Sequence, residues 1–144
     1  MKKKYCIIPQ FVLLFWFFLD MVGVYFGDRY LVTRSYKDDG IFFLIYLITV
    51  LLFIFKEKAG KYAVLVWTSI WFTIQFLCHE WYTIFGKGFM GTLEGKQKYF
   101  SGSIFWLKTE GRYIPDVYHT ILHLLIMAVI ITSALYIRHS KKEN

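Results

Sequence analysis

Two prolines and two cysteines in 144 residues leave no basis for a disulfide framework or a Pro-rich, loop-dominated fold. Cys6 lies near the start of the first apolar run and Cys78 near the end of the third. A bundle of such runs places them at opposite faces, beyond the reach of a disulfide. C-x-x-C is absent, so no redox motif is present. Charged residues make up only 19% of the chain. The 17 Lys and Arg outnumber the 10 Asp and Glu, giving a formal +7, yet no basic block interleaves with aromatics as a nucleic-acid surface would. Nucleic acid is not expected as a partner. There is no internal repeat, heptad run or low-complexity tract, no GxxxG dimer face inside a span, and no polar stretch long enough for a separate soluble catalytic domain.

What the chain has is apolar and aromatic residues, 57% and 22%, against the ~45–50% apolar share of ordinary soluble domains. They fall into four runs, at about 5–26, 41–55, 62–85 and 114–137. The predicted fold is therefore all-α: a single integral membrane domain over 1–144, a four-helix bundle with a long extracytoplasmic connection between its third and fourth spans. Lys2, Lys3 and Lys4 resemble the n-region of a signal peptide. The first run nevertheless outlasts a ~7–15-residue h-region and no small-x-small site follows, so it reads as a mature helix. The second run has 15 residues, short of the ~20 needed to span, a shortfall that snorkelling at Tyr36 and Lys56 or local thinning of the bilayer can absorb.

Lys2, Lys3, Lys4, Lys56, Lys58, Lys61, Arg138, Lys141 and Lys142 would share one side of a four-span protein. Arg29, Arg34, Lys37 and five further basic residues would share the other, accompanied there by Asp28, Asp38, Asp39, Glu94, Glu110 and Asp116. Weighted for termini and short loops, the positive-inside rule puts both termini in the cytoplasm of a multi-pass cell-membrane protein. The long connection, Gly86 to Arg112, has four glycines in its first ten positions and then Tyr99 to Lys108, a segment suited to lie at the outer leaflet. It could cover a site, or Phe100, Phe105 and Trp106 could simply anchor a loop at the headgroups.

Ionisable residues inside the spans are the functional candidates, since each costs roughly 2.5–3.5 kcal/mol at mid-helix on insertion scales. At 1.5 Å per residue, Asp20 lies roughly 20 Å up the first helix and His79 roughly 25 Å up the third, while His119 and His123 lie roughly 6 and 14 Å below the outer boundary, with Asp116 almost at it. All belong to the outer half. Asp116, His119 and His123 follow steps of three and four and stack on one helix face. Thr68, Gln75, His79 and Tyr82 make a stripe on the third helix, with Glu80 about 100° away, toward an adjacent helix. The second helix offers only Tyr46 and Thr49, which read as packing.

Two imidazoles one turn apart, H-x-x-x-H, can bind one metal from the same side, and a third ligand on another helix leaves a position for water. His119 and His123 would be the pair and His79 the third ligand, with Asp116 orienting or ligating. Glu80 and Asp20 would be the catalytic acid–base groups of a metal-dependent hydrolase acting on a lipid-like or prenyl-type substrate. The expected cofactor is a divalent metal, zinc first. The H-E-x-x-H protease motif itself is absent, the pair reading H-T-I-L-H. The last helix, Tyr118 to Ile130, resembles the final helix of the hemolysin III and progestin/adiponectin receptor superfamily, which includes the alkaline ceramidases. That resemblance implies a three-histidine zinc site with a nearby aspartate and amide hydrolysis on lipids. Here Asp20 and His79 stand in a different order from that family's aspartate and third histidine.

Two other chemistries use the same residues: haem b between His79 and His119 or His123, and a proton or ion relay, which the absence of ionisable residues farther inward on the third and fourth helices disfavours. The plainest alternative is a non-enzymatic accessory, immunity or ligand-binding protein whose polar side chains are hydrogen bonds between helices. Membrane lipids are expected partners, and a protein partner or a second copy of the chain is compatible with the pattern. His139 reads as solvated, Arg29 and Arg34 as surface charges able to meet lipid phosphate, and Pro115 as the first-turn residue of the fourth helix.

Overall fold

The structure, a computed structural model, describes residues 2–89, 91–109 and 111–140; Glu110, Lys141 and Lys142 of the charge pattern lie outside them. The elements are α1 (Lys4–Val22), β1 (Val24–Phe26), β2 (Arg29–Val32), α2 (Tyr36–Phe55), α3 (Glu57–Cys78), α4 (Glu80–Phe85), α5 (Leu93–Tyr99) and α6 (Val117–Ser140). Lys4–Val22, Tyr36–Phe55, Glu57–Phe85 and Val117–Ser140 are long and apolar enough to cross a membrane. Helix α1 packs on α2 and α6, and α3 also packs on α2 and α6, so the four form a closed ring.

The bundle is apolar outside and partly polar inside. Phe15, Phe55 and Leu124 are 66%, 79% and 61% exposed on its outward face, whereas Gln10, Asp20, Thr68, His79, Asp116, His123 and Ser133 are buried. A soluble bundle distributes these types the other way round. Between the polar groups lies a dry middle of Leu13, Phe17, Val64, Trp71, Ile126 and Val129. Trp16 and Tyr118 join α1 to α6: their rings stack at 5.5 Å, the indole donates to the Tyr118 carbonyl at 3.2 Å, and the phenol donates to the Trp16 carbonyl at 3.3 Å.

The end that carries both termini is tied shut. Lys3 Nζ pairs with Glu57 at 3.0 Å and donates to the Ile54 carbonyl, and Lys61 Nζ donates to Ser140 Oγ at 2.7 Å. Between α2 and α3 only Lys56 intervenes, and Gly60 lies so close to the end of α2 that a Cβ there would stand 2.2 Å from the Phe53 nitrogen.

The opposite end departs from the predicted pattern in three ways. First, the fold is not purely helical. Gly23, at φ +77°, closes α1 at Val22, and the β-prone run Val24–Phe26 turns at Gly27–Asp28 to pair antiparallel with Arg29–Val32. The span predicted at about 5–26 therefore ends as a helix four residues early. Second, α2 begins at Tyr36 with Asp38 and Asp39 in its first turn, where carboxylates suit the helix dipole, so the helix has 20 residues against the 15 of its apolar run. Third, α3 is interrupted at His79, and α6 begins at Val117 with Asp116 as its cap, not at Pro115.

Gly60→Ala is expected to destabilise the protein by about 1–3 kcal/mol, because the new methyl meets main chain and only a shift of α2 against α3 can make room. Thermal melts in detergent check this, and an unchanged melting temperature would contradict the close approach.

Candidate functional site

At the hairpin end, α1, α2, α3 and α6 enclose a cavity of about 260 Å³, covered by the hairpin and by the long connection. The cover is one unit. Tyr30 pairs with Ser103 as a parallel bridge, the Tyr30 hydroxyl donates to the Tyr99 carbonyl at 3.1 Å, and Phe100 lies edge-on to His119 at 5.1 Å. Phe100 is 8% exposed and belongs to the site, whereas Trp106 is 64% exposed and lies outside it.

Helix α6 supplies the best-defined pair. Asp116 Oδ1 accepts the His119 backbone N–H at 2.8 Å, capping the helix, and is also 2.8 Å from His119 Nδ1. One carboxylate thus fixes both the helix start and the imidazole, leaving Nε2 as the ring's free nitrogen. Thr120 Oγ1 donates to the Asp116 carbonyl at 2.8 Å and holds the cap from below. One turn on, His123 Nδ1 is engaged by Glu80 Oε1 and its Nε2 lies 3.3 Å from Gln75 Oε1.

His79 reaches these groups because the helix breaks there. Its φ of −127° and ψ of −67° leave the helical range while its N–H still bonds the Gln75 carbonyl at 2.9 Å. The imidazole turns inward, 4% exposed, with Nδ1 3.1 Å from the Tyr113 hydroxyl and its ring stacked on His119 at 4.1 Å. The break also changes where Glu80 goes. In place of diverging from His79, both side chains reach α6, His79 meeting His119 and Glu80 meeting His123.

Asp20 occupies the opposite wall. Its carboxyl lies beside the Ser35 hydroxyl and the Asp39 carboxyl, which line the same cavity, and Asp39 in turn lies within electrostatic reach of His119. Asp39 was not among the candidate residues, because the predicted second span began beyond it at Ile41. Lys96, on α5, was also missed. Its ammonium lies over the rings of Phe100, Tyr113 and Tyr82 at 4.9, 5.6 and 5.7 Å and faces the same cavity. Burial pushes the Lys96 ammonium below its ordinary 10.5, partly offset by the nearby Cys78, Asp116 and Glu80. Burial likewise raises the Tyr113 phenol, with Asp116 and Glu80 adding to the effect, so Tyr113 stays neutral and able to donate to His79.

All six sequence candidates, Asp20, His79, Glu80, Asp116, His119 and His123, gather at this end. Among the described residues, however, no three His, Cys, Asp or Glu side chains stand arranged to hold a metal ion as they lie. The reason is visible in the rings: His79 and His119 are stacked face to face, and His123 turns its Nε2 to Gln75. The same 4.1 Å stack leaves no space for a porphyrin between His79 and His119.

Lys96→Met keeps most of the stem's packing and removes a charge that folding disfavours. The cost of that charge is present at neutral pH and fades as pH rises through the lowered value toward 10.5. Lys96→Met is therefore expected to raise the melting temperature at pH 7. A fall would mean that the ring contacts outweigh burial.

No protein-family model, no curated protein and no solved structure matches this chain.

Proposed function

We propose that the chain is a small multi-pass membrane protein, both termini in the cytoplasm, whose outer-end pocket hydrolyses a lipid-like substrate with a paired base and acid. The observation that carries this reading is the Asp116–His119 pair at 2.8 Å, set in one cavity with the carboxyls of Asp20 and Asp39. Asp116 orients His119 so that Nε2 can take a proton from an attacking water, and Asp20 or Asp39, in its protonated form, gives one to a departing oxygen or nitrogen. The apolar outward faces of the helices support the bilayer location, and the lysines gathered at the terminal end support the orientation. An arrangement of purely structural hydrogen bonds would account for His123, Glu80 and Gln75. It does not account for a base and a carboxyl pair that line an open cavity.

The test is turnover of p-nitrophenyl palmitate and of N-palmitoyl-p-nitroaniline by detergent-purified protein. His119→Ala is expected to lower kcat about 10²–10⁴-fold. Wild type no faster than His119→Ala on either compound overturns the reading.

A divalent metal, zinc first, is a second reading favoured by a separate observation. Each of the three histidines has its Nδ1 beside an oxygen, from Tyr113, Asp116 or Glu80, as metal-binding imidazoles usually do. The Glu80 Oε2 atom is buried without a hydrogen-bond partner among the described residues. His79, His119 and His123 would hold the ion, after the His79–His119 stack opens, and the ion would lower the pKa of its water. Elemental analysis checks this. Near-stoichiometric zinc, manganese or iron, lost in the His119→Ala/His123→Ala double variant, is the expected result, and metal-free wild type prepared without chelator overturns it.

A further inference from the structure

At this end Asp116 and Glu80 are each engaged by an imidazole, His119 and His123, while Asp20 and Asp39 line the opposite wall. Lys96 has no carboxylate within ion-pair distance and no hydrogen-bond acceptor among the described residues, although its ammonium is half-buried in an aromatic cage. Such a group in a low-dielectric setting is stabilised by an anion more than a solvated surface lysine is. A second donor faces the same cavity. Ser103 Oγ is 3% exposed, lines the cavity, and is without a hydrogen-bond partner among the described residues. Lys96 and Ser103 come from one connected segment, Ser103 held in place by its bridge to Tyr30 and by its N–H to the Phe100 carbonyl at 2.9 Å. Two apolar side chains, Phe42 on α2 and Ile74 on α3, also line the cavity, and Ile74 is 37% exposed on the surface of the bundle.

We propose that this cavity recognises an amphiphile with an oxyanion head, carboxylate or phosphate, which Lys96 and Ser103 bind while its hydrocarbon chain leaves between α2 and α3 past Phe42 and Ile74. The proposal rests on the reading of the cavity as a substrate site and names the class of substrate. Lys96 and Ser103 recognise the head group and take no part in the proton transfers assigned to His119, Asp20 and Asp39. A cationic head repels Lys96, a neutral head offers an acceptor but no charge to answer the ammonium, and a free oxyanion without a chain leaves the apolar exit unfilled.

The experiment is competition binding on full-length protein in dodecyl maltoside, read by intrinsic tryptophan fluorescence. The probes are hexadecyl phosphate, palmitate, hexadecanol, hexadecyltrimethylammonium and inorganic phosphate. Wild type is expected to bind hexadecyl phosphate or palmitate at least about tenfold more tightly than hexadecanol, as a charge-assisted contact in a buried site should provide. Lys96→Met should abolish that preference, Lys96→Arg should retain part of it, and Ser103→Ala should reduce it. Equal binding of the anionic and neutral probes, a preference for the ammonium probe, or a preference unchanged in Lys96→Met overturns the proposal. Inorganic phosphate matching hexadecyl phosphate overturns its amphiphile half. Turnover is read separately on the wild type, so a failure of the hydrolase reading, seen as absent turnover, is distinguishable from a failure of head-group recognition, seen as absent preference. The melting temperature of each variant separates lost binding from lost folding.

Discussion

An outward face made of phenylalanine, leucine and isoleucine leaves the polar side chains of these helices only one another as partners. In water a buried carboxylate can find solvent at modest cost. Inside an apolar shell it must be matched by a proton, an imidazole or a donor, or it costs several kcal/mol. The pairings at the hairpin end follow from that constraint. Asp116 faces His119, Glu80 faces His123, and Asp20 faces Asp39 and Ser35. The same pressure accounts for the hydroxyls that turn back on their own helices, Thr68 to the Val64 carbonyl and Thr132 to the Ala128 carbonyl, where an apolar exterior offers nothing else.

Asp116 shows how much one residue can settle under this rule. As the cap it fixes where α6 begins, and with that beginning it fixes the level at which His119 and His123 stand. As the partner of His119 Nδ1 it also selects which ring nitrogen faces the cavity. Moving the helix start by one residue would rotate both histidines by about 100° and separate them from His79. The interruption at His79 is the matching adjustment on the other side, since an unbroken helix would send His79 and Glu80 in different directions. Local backbone geometry and site geometry are therefore the same feature in two places.

Much of this was legible in the sequence where the signal was periodic. The spacing of Asp116, His119 and His123 specified a common face, and counting residues along each run placed Asp20 and His79 at the same end. What was not legible depended on chain that carries no helical period. Asp39 lay outside the second apolar run, because a hydropathy boundary at Ile41 ignores a polar first turn that the helix dipole favours. Lys96 and Ser103 belong to a connection whose glycines gave no register, so nothing indicated that they turn inward while Trp106 turns out. The hairpin was hidden because Val24–Phe26 continues the hydropathy of α1, and only the left-handed Gly23 separates them. The break at His79 has no sequence mark of proline or glycine at all. It is apparent only once the ring is seen against His119.

The two ends of the bundle differ in a way that bears on function. At the terminal end Lys3, Glu57, Tyr136, Lys61 and Ser140 satisfy one another across three helices, and only Lys56 separates α2 from α3. Every charge in that network has an answering group. At the hairpin end the chain uses a long connection and a two-stranded hairpin to close over a cavity, and it leaves a cation held by aromatic rings and a buried hydroxyl facing inward, neither with an ion-pair or hydrogen-bond partner among the described residues. A structure selected only for stability would fill that space with apolar side chains, as the middle of the bundle does with Phe17, Trp71 and Ile126. Retaining a partly buried ammonium without an ion-pair partner beside an oriented imidazole lowers stability, and such a cost is characteristic of sites that complete their interactions only when something binds.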